Sequence, residues 1–231
     1  MTYAPTLSIS TPVHLSAHGA DLNGDLGVPP GAQTLVIIAD AKHRSTRRSR
    51  RVADALQDDG YATLVVDLLS SQEATLDPNT TRLLFDVPLL STRLSAVADW
   101  ARFDANTRGM RIALFGMGAG SSTALAMAAM RPDVVSAVVT AGGRADLAGR
   151  SLGRVQAPAL LIAGGNDGPA VAMAKSAEAR LTSTKELFVV PRAGHHFEEP
   201  GAIEEVAQLA LRWFERYAPT RIPAPQNPEI C

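Results

Sequence analysis

Short, continuous apolar runs recur along this chain and constrain its fold more than any other feature. Residues 34–39 (Thr-Leu-Val-Ile-Ile-Ala), 63–69, 112–115, 134–140, 159–163 and 186–190 are each of strand length, and most show no polar–apolar alternation. A strand without alternation has no solvent face, so it belongs in a mainly parallel sheet covered by helices on both sides. Helix-length segments fall between the runs: 46–58, closed by Gly60 as a C-terminal cap, then 89–103, 121–130, 170–181 and 203–217. In sheets of this kind the ligand site lies at the carboxyl ends of the strands.

The remaining segments are weaker. Residues 7–15 read as a strand and 20–26 as its hairpin partner, with Asn23-Gly24 as the expected two-residue turn. Residues 70–86 read as polar and irregular, with a turn at Asp77-Pro78-Asn79. No internal repeat, linker or long insertion interrupts the rhythm. The expectation is one α/β domain over residues 1–217 with no helical cap, followed by a tail, 218–231, that holds four prolines.

Composition removes several function classes. Apolar residues make up 46% of the chain but aromatics only 5%, so the core must be built from Ala, Val, Leu and Ile. Lys and Arg total 22 against 23 acids, which selects no partner class. The single cysteine, Cys231, leaves no disulfide framework and no cysteine-based metal site. No basic-then-apolar leader opens the chain and no apolar run is long enough for a membrane span, so a cytoplasmic protein is expected.

Three loops at predicted strand ends carry the chemistry. After the run 112–115 comes Gly116-Met117-Gly118-Ala119-Gly120 and then a small-residue helix. That strand–turn–helix context belongs to the G-x-S-x-G nucleophile elbow, here with glycine at the centre. After the run 159–163 comes Gly164-Gly165-Asn166-Asp167-Gly168-Pro169, and after 186–190 comes Gly194-His195-His196-Phe197-Glu198-Glu199-Pro200. Nucleophile position, acid, histidine is the chain order of α/β-hydrolases.

On these residues the chain resembles the α/β-hydrolase superfamily in its dienelactone-hydrolase-like branch, over residues 20–217. The segments 115–120, 131–143 and 164–205 carry the likeness most strongly. The resemblance implies Asp167 as the triad acid, His195 as the triad histidine and a serine or cysteine at position 118. Here the chain departs, because Gly118 has no atom with which to attack. It departs again after the run 34–39. Family members place His-Gly and small residues there to give the oxyanion a backbone N–H, whereas this chain reads Asp40-Ala41-Lys42-His43-Arg44-Ser45. A carboxylate at Asp40 would oppose a developing oxyanion.

Two readings of Gly118 stand: a natural loss of the nucleophile, which the altered loop 40–45 favours, and an engineered inactivation of an ester or lactone hydrolase. Ser121 and Ser122 lie about one turn into the following helix, where small residues pack on the sheet. His195 and Asp167 can form a general-base pair that needs no covalent step, or can persist because each satisfies a buried polar group. His196 reads as a rim residue. Glu198 and Glu199 read as the start of the last helix, where carboxylates suit the helix dipole. Adjacent histidines rarely ligate one ion, and no metal or cofactor is expected.

Residues 42–51 (Lys-His-Arg-Ser-Thr-Arg-Arg-Ser-Arg-Arg) hold six basic side chains at the lip of the expected pocket. They face either Asp54, Asp58 and Asp59 on their own helix or an anionic ligand bound as carboxylate or phosphate. Nucleic acid is disfavoured because no aromatics are interleaved with the charge. The expected partner is therefore a small molecule, anionic in charge, in a pocket lined by Gly118, Met117, Ala119, Asp40, Ala41 and Arg44. A protein partner or a second copy of the chain stays open. The expected function is that of a hydrolase-like protein without a serine nucleophile, either a binding protein or a non-hydrolytic enzyme using His195 and Asp167.

Overall fold

The computed structural model describes residues 10–40, 47–76 and 82–220. Eight strands form one sheet: β1 (Thr11–Ala17), β2 (Ala20–Gly27), β3 (Thr34–Asp40), β4 (Ala62–Asp67), β5 (Arg111–Met117), β6 (Val135–Ala141), β7 (Ala159–Gly164) and β8 (Lys185–Val190). Their order across the sheet is β1-β2-β4-β3-β5-β6-β7-β8. Only β1 and β2 run antiparallel to their neighbours. The other pairs are parallel.

Burial follows the apolar runs. All seven residues of β3 and all six of β4 are buried. Side chains of β3 divide by parity: Leu35, Ile37 and Ala39 enter one hydrophobic cluster, Val36 and Ile38 the other. Helices α3 (Val87–Phe103), α4 (Gly120–Met130) and α5 (Gly168–Arg180) contribute to the first cluster. Helices α1 (Arg47–Asp58) and α6 (Ala202–Tyr217) contribute to the second. Helix α1 presents Ser49, Val52, Ala53, Leu56 and Gln57 inward, a stripe at helical spacing. Truncating the fully buried Leu56 to Ala would cost about 2–5 kcal/mol. In α4, by contrast, residues 120–129 are buried all round, which the Ala-rich sequence allows.

Several local expectations are corrected. The first hairpin turns at His18-Gly19, both with positive φ (48° and 75°), while Asn23 and Gly24 lie inside β2 opposite His14 and Val13. Burial decides this register: Leu15, Ala17, Ala20 and Leu22 share the covered face, and a turn at Asn23-Gly24 would break that pairing. The expected irregular stretch after β4 contains a short helix, α2 (Ser71–Leu76), and a 3₁₀ turn, Leu83–Phe85. A reciprocal cap starts α2: Ser70 N–H donates to Glu73 (2.9 Å) and Glu73 N–H to the Ser70 hydroxyl (3.2 Å). Glu73 also pairs with the buried Arg93 at 2.6 Å. The expected turn at residues 77–79 lies outside the described residues.

Between β6 and β7 the chain forms 3₁₀ turns over Ala145–Arg154, broken at Gly149. Of the proline-containing segment 218–231, residues 218–220 are described and are tied to the body: Thr34 donates to the Pro219 carbonyl and the Thr220 hydroxyl to the Gly60 carbonyl. Among the described residues no helix is long and apolar enough to cross a membrane.

Candidate active site

The carboxyl ends of β3, β5, β6, β7 and β8 converge on one side of the sheet. At the end of β5 the chain enters the elbow. Gly118 has φ +57°, a left-handed conformation that a side-chain-bearing residue adopts only with strain. The three elbow glycines do different work. A Cβ on Gly116 would lie 2.5 Å from the Gly120 carbonyl oxygen, and one on Gly120 would lie 2.1 Å from that of Ala39. These two glycines let α4 press against β5 and β3. A Cβ on Gly118 would meet nothing within 4 Å. The turn therefore keeps the backbone of a nucleophile elbow, and open space where the side chain would stand.

The Gly142-Gly143 corner after β6 abuts this turn, since a Cβ on Gly143 would fall 1.9 Å from the Gly118 carbonyl oxygen. Ser121 is fully buried, and its hydroxyl donates to the Gly142 carbonyl at 2.8 Å. Ser122 donates to the Ala119 carbonyl at 3.3 Å. Both hydroxyls are engaged with backbone below the elbow.

Asp167 follows β7 and does two jobs. Its Oδ1 accepts from the Ala170 N–H (3.0 Å), capping α5, and its Oδ2 lies 2.6 Å from His195 Nδ1. The Ala170 N–H foremost, and then His195, hold its carboxyl below the usual carboxylate range. An ionised carboxylate only accepts, so His195 Nδ1 donates its proton to Asp167 and leaves Nε2 as the nitrogen not engaged by it. Backbone contacts lock the two loops together. Asn166 N–H donates to the Ala193 carbonyl (2.9 Å) and the Asn166 side chain to the Arg192 carbonyl (2.7 Å). Two non-glycine residues with positive φ, Arg192 (62°) and Phe197 (51°), bracket His195. Strain of about 1–3 kcal/mol at each persists only where the surroundings enforce it.

Glu199 belongs to this loop and not to the last helix. Its carboxylate accepts the Gly194 N–H at 3.0 Å, and α6 begins at Ala202 with Glu204 and Glu205 in its first turn. Pro200 explains the correction, because the residue before a proline is steered away from helical conformation. His196 stacks edge-on against His195 with ring centroids 4.7 Å apart.

A cavity of about 130 Å³ gathers most of the expected residues: Asp40, Met117, Gly118, Ala119 and His195 line it, with His196 at its wall. Asp40 is 4% exposed and ends β3 in register with Met117. Ala41 and Arg44, expected at the same pocket, lie outside the described residues. Sequence reasoning missed four further lining residues, Leu84, Phe85, Gly143 and Arg144, while Arg48 comes from the basic segment expected at the lip. Leu84 and Phe85 sit in the segment read as irregular. Arg144 is held by a bidentate pair with Asp146 (2.8 and 2.9 Å). The capping box at Ser70 and the Gly-Gly-Arg-Ala-Asp run were the signals available. A larger cleft of about 630 Å³ lies away from the dyad, lined by Pro12, His14, Asp25, Arg50, Asp67 and Ser71 among others.

Among the described residues of the basic segment, Arg50 lies close enough to Asp54 on its own helix to act on its charge, and other partners come from elsewhere in the fold. Arg50 pairs with Asp25 at 3.4 Å, Arg51 with Glu204 on α6, and Arg48 donates to the His196 carbonyl at 2.7 Å.

Residues 22–218 match the dienelactone hydrolase family. The chain belongs to that family. A dienelactone hydrolase from Anabaena variabilis has the same fold, with 43% identity and a TM-score of 0.86 over 90% of this chain and 97% of its own. A lidless α/β serine hydrolase from Xanthomonas campestris is 19% identical, with a TM-score of 0.68 over 94% of this chain and 97% of its own. The fold is thus that of the α/β-hydrolases. A protein of two Mycobacterium tuberculosis strains, named "Putative phosphoribosyl transferase", is 40% identical over 204 residues. Those residues are 87% of this chain and 45% of that protein, so the chain spans less than half the length of these curated relatives.

Proposed function

We propose that this dienelactone hydrolase family member works without a covalent serine step, as a small-molecule site built on the His195–Asp167 pair. One observation carries the reading: His195 is oriented by Asp167 at 2.6 Å, yet the elbow facing the same cavity presents Gly118. His195 Nε2 would take a proton from the ligand, the ionised Asp167 would stabilise the imidazolium, and the proton would return at a second atom of the same ligand. Isomerisation, elimination of water and ring closure are the reactions this supports. Arg48 and Arg144 at the cavity wall favour an anionic ligand. Phosphoribosyl transfer is not part of this reading, because the segment shared with the mycobacterial relatives is the one that matches the hydrolase family.

The same site without turnover would be a binding protein, and His195→Ala separates the two. Any turnover should vanish in that variant; turnover that survives it would sink the acid–base role. A second reading rests on the open space at Gly118: an inactivated form of an ester or lactone hydrolase, natural or engineered. A panel of activated esters and lactones, assayed on the chain and on Gly118→Ser, decides this. Strong hydrolysis by the serine form alone favours the second reading, and inactivity of both favours the first.

A further inference from the structure

Beside the dyad cavity lies a second one of about 400 Å³, lined by Arg47, Arg48, Arg51, Phe197, Glu198 and Ile203. Arg48 lines both cavities. Its hydrogen bond to the His196 carbonyl fixes the guanidinium at the dyad's edge. Arg47 and Arg51 are one helical turn apart, so both reach the same side of α1. Arg51 is held by Glu204, an exposed partner that a stronger acceptor can displace. No acidic residue stands in the first turn of α1 to offset four arginines there and just beyond, so an anion would relieve an unfavourable arrangement.

We propose that this groove is a phosphate subsite for the ligand of the dyad cavity. The ligand would be a small phosphate monoester. Its dianionic end would lie among Arg47, Arg48 and Arg51, and its uncharged end would pass Arg48 to reach His195. Three guanidinium forks present more donors than one carboxylate can accept, whereas the three terminal oxygens of a phosphate monoester match them. Glu198 and Glu204 oppose the anion and set its affinity. The proposal rests on the reading of the dyad cavity as a small-molecule site, but its test does not need turnover.

The probe is inorganic phosphate at pH 8, titrated calorimetrically at fixed ionic strength with acetate as the competing chemistry. Binding should weaken about tenfold or more in Arg47→Gln/Arg51→Gln and in Arg48→Gln, as expected for loss of charge-assisted bonds. Glu204→Gln should tighten it about threefold by freeing Arg51. Melting curves confirm that the variants fold, which the exposure of Arg47 and Arg51 favours. His195→Ala should leave phosphate binding unchanged, so failure of the acid–base role and failure of the subsite give different results. Acetate binding as well as phosphate would overturn the phosphate class. Phosphate binding unaffected by the arginine variants, or no phosphate binding at all, would overturn the subsite.

Discussion

The turn after β5 and the paired loops after β7 and β8 present different things to the same side of the sheet. At the turn after β5, Gly118 holds φ +57° between two glycines that packing demands, and it presents no side chain to the cavity. At the loops after β7 and β8, side chains meet: Asp167 contacts His195, and residues with positive φ bracket the histidine. The difference separates what the fold requires from what the chemistry requires. Gly116 and Gly120 are needed wherever α4 docks on β5 and β3. Asp167 also caps α5, so the fold has a use for it with or without catalysis. At position 118 the backbone is tied to Ala141 and Ser121, but a side chain there would meet nothing within 4 Å, so packing does not dictate which residue occupies it.

The comparison breaks most visibly at position 118. Gly118→Ser restores a hydroxyl in the elbow, and hydrolysis of an activated ester should rise roughly 100-fold or more if the remaining machinery is competent. A rise far below that would mean that Asp40 and the loop after it no longer support an oxyanion, since one lost donor costs about 10²–10³ in rate. The next largest effect is on stability. Gly120→Ala drives a methyl into the Ala39 carbonyl and should cost about 3 kcal/mol in denaturant unfolding. Gly118→Ala meets open space and should cost about 1 kcal/mol, the strain of its positive φ alone. Equal losses at the two positions would contradict the division between packing glycines and a vacant one.

The smallest effect sharpens the other side of the comparison. Asp167 has a folded-state pKa below its unfolded value, so its ionised form stabilises the fold above the unfolded pKa, near 4. That contribution fades as pH falls through the lower folded value. The stability difference between the chain and Asp167→Asn should therefore be full at about pH 6 and shrink toward about pH 2. A difference that did not change over that window would mean that the aspartate's charge contributes nothing to the loop.

Much of the fold was legible because its signals are local. Uninterrupted apolar runs specify a sheet covered on both faces, and glycine-rich turns after them specify where the site lies. The placement of Gly118, Asp167 and His195 was legible for the same reason, each lying in a loop at a strand end. Other features depend on partners distant in the chain. The first hairpin turns at His18-Gly19 because of which side chains the rest of the sheet covers, although Asn23-Gly24 is the better turn in isolation. Glu199 left the last helix because Gly194 and Pro200 engage its loop. Arg48 and Arg144 line one cavity although they lie far apart in the chain, and Arg51 took Glu204 as partner because α1 packs against α6. By itself the sequence determined the layered α/β scaffold, the glycine at position 118 of the turn after β5, and the order in which Asp167 and His195 follow it. Only the tertiary structure decided that a side chain at position 118 would meet open space, that the two loops hold His195 against Asp167, and that Arg48 of α1 lines their cavity, because those facts depend on contacts between segments far apart in the chain.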